Sequence, residues 1–116
     1  MNNKPKYHLF NNTRYAIDGL VHAIKNESSF RLELLMAVFI IVGIIYIDVS
    51  ITQKMILLVS GILVLIVELI NSAIENVVDL NTLETKPLAK AAKDIGAAAV
   101  MLCILLHVTC WVLVLI

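Results

Sequence analysis

Apolar positions in this chain fall into one amphipathic stretch followed by three long runs. Between Thr13 and Lys25, Ile17, Leu20, Val21 and Ile24 recur at i, i+3, i+4 and i+7, while Asp18, His22 and Lys25 fall on the other side, the pattern of a helix with one apolar face. Little core is available to cover that face, so the spacing predicts a helix over 13–25 lying on a membrane surface. The segment SSFRLELLMAVFIIVGIIYI carries Arg31 and Glu33 near its start and is then uncharged from Leu34 to Ile47, long enough with its flanks to cross a bilayer. It predicts a first span over 29–47. After the loop DVSITQK, an apolar run opens at Met55 and continues helically to about Leu80, predicting a second span over 54–80 that is longer than the hydrocarbon layer requires. Pro87 suits the first turn of the next helix, and a third span is predicted over 88–116, with Trp111 as an aromatic anchor near an interface.

Composition agrees with lipid as the solvent of this chain. Of its 116 residues, 60% are hydrophobic and 16% charged, with a mean hydropathy of +0.93, which is hard to reconcile with a water-soluble domain. Three spans of roughly 20 residues and a short surface helix use nearly all of the length, so residues 1–116 are read as one integral-membrane domain. The polar start MNNKPKYHLFNN has no apolar core followed by a cleavage site, and a removable leader is not expected. Formal net charge is zero, so the placement of charge matters more than its sum. Eight of the nine basic residues (Lys4, Lys6, Arg14, Lys25, Arg31, Lys86, Lys90 and Lys93) fall before the first span or between the second and third, leaving only Lys54 for the other side. The excess of positive charge on cytoplasmic loops therefore places the N-terminus inside and the C-terminus outside.

The second span contains an anomaly. Residues 67–80, VELINSAIENVVDL, set Glu68, Asn71, Ser72, Glu75 and Asp79 into an apolar run. At about 100° per residue all five share one helix face, with Glu68 about 16 Å deeper than Asp79 along the axis. Carboxylates at membrane depth cost several kcal/mol unless paired or wetted, so this stripe is expected to face protein, water or ions. The start of the third span offers Lys86, Lys90, Lys93 and Asp94 opposite it, followed by the small residues Gly96 to Ala99, which permit close helix packing. Glu27, at the hinge between surface helix and first span, is a further carboxylate at the depth of Glu75. Such a set suits a phosphate compound held through Mg²⁺: one or two carboxylates hold the ion with phosphate oxygens and water, lysines meet phosphoryl oxygens, and a deeper carboxylate is free as general base toward a hydroxyl. The structural alternative is a set of helix-packing ion pairs. A proton-coupled transporter built on a lone intramembrane glutamate, and a structural subunit of a larger complex, are functional alternatives. No GxxxxGK[ST] loop occurs among the glycines Gly19, Gly43, Gly61 and Gly96, which excludes a P-loop kinase. Cys103 and Cys110 lie about 10 Å apart on one helix, too far to form a disulfide with each other. Cys103, His107 and Cys110 share a face that could be written as a soft-metal site, but small packed side chains around a hydrogen-bonded histidine account for it better.

ELINSAIENVVDL together with PLAKAAKDIGAAAV, preceded by NESSFRLE, resembles the signature of the bacterial integral-membrane diacylglycerol kinase family. The resemblance covers essentially the whole chain. It implies an all-α membrane protein in the bacterial cytoplasmic (inner) membrane, a homotrimer with one amphipathic surface helix and three transmembrane helices per subunit. It also implies active sites at subunit interfaces on the cytoplasmic side, where phosphate passes from MgATP to a lipid alcohol. Carried over to this chain, it makes Glu68 the catalytic base, with Asn71 and Asp94 as further catalytic positions. Glu27 and Glu75 become the Mg²⁺ ligands; Glu27, Glu75, Asp79 and Lys93 the ATP-binding residues; and Glu68, Ser72 and Ala97 the residues toward the lipid. Apart from the resemblance, Arg14 on the otherwise solvated face of the surface helix is a further candidate to reach ATP. Diacylglycerol-specific members carry Trp and Lys at the positions of Ile17 and Asp18 and Ser at that of Ala97, and the linker TLETKPLAKAAKD resembles members acting on undecaprenol. ELINSAIE and GAAAV match the diacylglycerol branch. Diacylglycerol is the expected acceptor and undecaprenol the alternative.

Overall fold

A computed structural model describes residues 8–116, so Lys4, Lys6 and most of the polar N-terminal stretch lie outside the described residues. The chain forms four helices: α1 (Leu9–Asn26), α2 (Ser28–Tyr46), α3 (Ile51–Asn81) and α4 (Pro87–Leu115). The last three are each long and apolar enough to cross a membrane, and at 1.5 Å per residue the 31 residues of α3 run about 46 Å, well beyond a hydrocarbon core of about 30 Å.

Local chemistry sets the helix ends. α1 begins at Leu9 rather than Thr13, because Thr13 turns its hydroxyl back onto the Leu9 carbonyl at 2.8 Å and so sits inside the helix instead of capping it. α3 begins at Ile51 rather than residue 54. Ser50 Oγ accepts the Gln53 amide at 3.1 Å and Gln53 Oε1 accepts the Ser50 amide at 3.0 Å, a reciprocal capping box that captures the turn before the apolar run starts. Pro87 occupies the first turn of α4, where its missing N–H costs nothing.

α3 is the central element. It packs most extensively on α4 and less on α2, while α1 meets α2 at the hinge. Its buried face is Leu57, Ser60, Val64, Glu68, Asn71 and Ser72, one stripe at helical spacing. Elsewhere large apolar side chains point outward, such as Phe39 at 70% and Leu113 at 65% exposure. In water that surface would be strongly unfavourable; in a bilayer it meets its own solvent. This is a multi-pass membrane protein.

At the end of α3 near the α2–α3 loop, a short hydrogen-bonded chain joins α3 to α4. Trp111 Nε1–H donates to His107 Nε2 at 3.1 Å. An indole can only donate, so the ring proton sits on His107 Nδ1, which donates to Ser60 Oγ at 2.8 Å, and Ser60 donates in turn to the Leu57 carbonyl at 3.1 Å. Gly61 makes room for the imidazole: a Cβ there would stand 3.1 Å from His107 Cε1. Interhelical hydrogen bonds in membranes contribute about 0.6 kcal/mol on average and up to about 1.7. Ser60→Ala is therefore expected to lower stability by about 1 kcal/mol, read as earlier unfolding with rising SDS fraction in mixed micelles.

Candidate active site

The polar residues of α3 come together at its end nearest α4's first turns. Glu68, Asn71 and Ser72 are 6%, 7% and 7% exposed even within the single chain, so the stripe faces inward. Asn71 Nδ2 donates to Glu75 Oε1 at 3.0 Å, an i,i+4 bond that steadies the Glu75 carboxylate and leaves its second oxygen free for another partner. Gly96 of α4 lies directly against Asn71, whose Oδ1 occupies the space that a Cβ at Gly96 would need; that oxygen is buried without a hydrogen-bond partner. The small residue at the head of α4 thus serves one contact, the seating of the Asn71 amide.

Glu68 has no hydrogen-bond partner among the described residues, and the carboxylates of Glu75 and Glu27 lie within electrostatic range of it. Glu27 is half-buried and is the single non-helical residue between α1 and α2. It lines a cavity of about 470 Å³ between α1 and α3, together with Gly19, Ala23, Ser72 and Asn76. Further out, Lys93 Nζ of α4 bridges to Asp79 Oδ1 of α3 at 2.5 Å. Three carboxylates, one amide and one bridging lysine therefore line a path from the exposed end of α3 to the buried Glu68.

Not every expected residue joins this group. Asp94 accepts from Lys90 at 2.5 Å on the exposed side of α4, about 160° round the helix from Gly96, so neither reaches Glu68 within its own chain. Lys86 pairs with Glu84 in the linker at 4.0 Å. Of the four charges expected opposite the stripe, only Lys93 crosses to it. Ala97 is exposed, and Arg14 is exposed on α1.

One residue was not singled out from the sequence. Glu33, in α2, has a buried carboxylate oxygen without a partner and lies within electrostatic range of Glu68. It stands among the residues of an otherwise almost wholly apolar cleft of about 460 Å³ between α2, α3 and α4, which also includes Ile40, Ile44, Gly61, His107 and Trp111. The signal was present: an acid inside a span is a functional candidate by default.

The donors suit a hard cation. Among the described residues no three Asp, Glu, His or Cys side chains gather into a complete metal site, but Mg²⁺ asks only for one or two carboxylates beside phosphate and water. Glu27 and Glu75, both within electrostatic range of Glu68, are the residues that could provide that number of oxygen ligands.

Comparison with known proteins identifies one family and several relatives. A profile of the family described as prokaryotic diacylglycerol kinase matches residues 14–115. The chain is 37% identical over 107 residues to the diacylglycerol kinase of Pseudomonas aeruginosa, covering 92% of this chain and 87% of that one. It is 36% identical over 104 residues to that of Haemophilus influenzae, covering 90% and 88%, and 40% identical over 101 residues to that of Escherichia coli K12, covering 87% and 83%.

Proposed function

Because the chain belongs to the prokaryotic diacylglycerol kinase family, we propose that it transfers the γ-phosphate of MgATP to the hydroxyl of diacylglycerol in the bilayer, giving phosphatidic acid. The observation that carries this reading is Glu68: a carboxylate 6% exposed on a transmembrane helix, without a hydrogen-bond partner among the described residues, at the inner end of an acidic path that begins at the lysine-bridged Asp79.

In the transfer, Glu68 accepts the proton of the acceptor hydroxyl as that oxygen forms its bond to the γ-phosphorus. The bond from phosphorus to the β,γ-bridging oxygen breaks, its electron pair leaves with ADP, and the proton on Glu68 returns to water along the polar face of α3. Glu27 and Glu75 would hold Mg²⁺, which offsets charge on the phosphates when bound. Asn71 keeps Glu75 oriented through its 3.0 Å hydrogen bond. Lys93 turns from Asp79 toward phosphate; their ion pair is 41% and 45% exposed, and exposed pairs contribute only about 0–1 kcal/mol, so exchanging it for a nucleotide costs little. Ser72 shares the cavity beside Glu27 and would meet the polar head of the lipid, while the cleft between α2, α3 and α4 offers apolar length for its tails.

The assembly is proposed to be a homotrimer with shared sites. In its support, Lys90 and Asp94 are turned away from Glu68 in their own chain, so they contribute to catalysis only by facing a neighbour. α1 would lie along the headgroups, with the N-terminus cytoplasmic and the C-terminus outside.

The acceptor is tested by transfer of radiolabelled phosphate from ATP in mixed micelles. Diacylglycerol is expected to be phosphorylated at least about tenfold faster than undecaprenol, a preference of the size that pocket contacts of about 1–3 kcal/mol confer. Equal or reversed rates would make undecaprenol the acceptor while leaving the kinase chemistry in place.

A further inference from the structure

The joint that carries Glu27 is closed from the far side. α1 ends without the left-handed residue that often terminates a helix, since the described chain has no positive-φ residue. Its last turn therefore exposes carbonyl oxygens that need donors. The Ala23 carbonyl accepts from the Glu27 amide at 2.9 Å. Those of Ile24 and Lys25 both accept from one nitrogen of a side chain in the next helix, Arg31 Nη1, at 2.9 Å each. The Arg31 amide donates to the Glu27 carbonyl at 3.1 Å. Arg31 is thus bonded to the backbone at Glu27 by its amide and to the turn before Glu27 by its guanidinium.

We propose that Arg31 is a positioning residue for phosphoryl transfer: its charged donor group clamps the end of α1 onto the start of α2, and so fixes where the Glu27 carboxylate stands relative to Glu75 and Glu68. Two features make the clamp consequential. Glu27 is the only non-helical residue of the joint, with φ −111° and ψ 102°, so any swing of α1 is taken up at Glu27 itself. Among the described residues, moreover, the only side-chain hydrogen bonds that tie α1 to the rest of the chain are the two from Arg31. Hydrogen bonds from a charged donor are roughly twice as strong as neutral ones, and the planar guanidinium presents both hydrogens of Nη1 to two successive carbonyls, a geometry an ammonium reproduces less well.

This inference rests on the reading of Glu27 as a Mg²⁺ ligand, and its test separates the two. Spin labels are placed by Asp18→Cys on α1 and Asp48→Cys after α2 in a full-length chain carrying Cys103→Ser and Cys110→Ser, reconstituted in bilayers and diluted with unlabelled chain, and their distance distribution is recorded without nucleotide. The narrow distribution with Arg31 is expected to broaden in Arg31→Gln and to be intermediate in Arg31→Lys. In unlabelled protein, Arg31→Gln is expected to raise the Mg²⁺ concentration for half-maximal activity roughly tenfold, the usual size of losing support behind a metal ligand, with the rate largely recovered at saturating Mg²⁺ and Arg31→Lys in between. An unchanged distance distribution overturns the clamp whatever the reaction proves to be. A broadened distribution with an unchanged Mg²⁺ requirement overturns its link to Glu27 while leaving the kinase reading intact.

Discussion

Glu68→Gln is expected to lower phosphoryl transfer by roughly 10²–10⁴-fold, the range a positioned general base supplies, with the folded, membrane-inserted protein retained. Glutamine keeps the shape and removes the capacity to take a proton. Retention of assembly is expected because Glu68 makes no hydrogen bond to another described residue that the amide would break, and the amide relieves the proximity of three carboxylates, Glu68, Glu75 and Glu27. The loss should fall on the rate at saturating ATP and lipid, with the apparent affinity for MgATP little changed, since the proposed nucleotide contacts are other residues, Glu75, Glu27 and Lys93. A variant keeping more than about a tenth of parental turnover would remove Glu68 from the role of base, because a general base accounts for far more than that.

Gly96→Ala is expected to produce the second largest effect. The added methyl group would overlap Asn71 Oδ1, so the amide must rotate away or α4 must back off from α3. Rotation of the amide breaks or redirects the 3.0 Å bond from Asn71 to Glu75 and displaces a candidate Mg²⁺ ligand, while retreat of α4 removes the wall that seats the amide. Misplacement of a catalytic group by about 1 Å costs on the order of 10²-fold, and a loss of that order is expected, accompanied by a higher Mg²⁺ requirement. Asn71→Ala in the Gly96→Ala background should add little further loss, because both changes release the same carboxylate; additive losses would show that Gly96 acts through something other than Asn71. The comparison isolates the contact, since the methyl group clashes only while the amide is present.

Much of this architecture is legible in the sequence because lipid imposes a simple demand: a long apolar run that crosses it alone must satisfy its backbone hydrogen bonds within itself, as a helix does. The runs beginning near Leu34, Met55 and Ile95 therefore announce α2, α3 and α4. The inward face of α3 is legible for the complementary reason, since Glu68, Asn71 and Ser72 recur at helical spacing and have nowhere else to point. Helix ends are less so. The start of α3 at Ile51 follows from Ser50 and Gln53, a box whose pattern is visible in SITQ but easily overlooked beside the apolar run that follows it. The partners of charged residues are the least legible. Lys93 and Asp94 are neighbours in sequence, yet one crosses to α3 and the other turns to Lys90, because successive residues diverge by about 100° around a helix. Glu33 escapes for a different reason: it is an isolated acid outside any repeating pattern, and its meaning comes from Glu68, thirty-five positions away in the chain and close only once α2 packs on α3.

The joint at Glu27 has no slack. One extended residue supplies two adjustable dihedrals, with a helix locked on either side. Inserting a single alanine into α1 just before Asn26 would turn the rest of that helix by about 100° around its axis, exchanging the side that bears Ile17, Leu20 and Ile24 for the one that bears Asp18 and His22. Chain length at this bend is thus as constrained as any side chain, and an insertion there would turn α1's greasy flank toward the places now held by Ala16, Gly19 and Ala23, against α3.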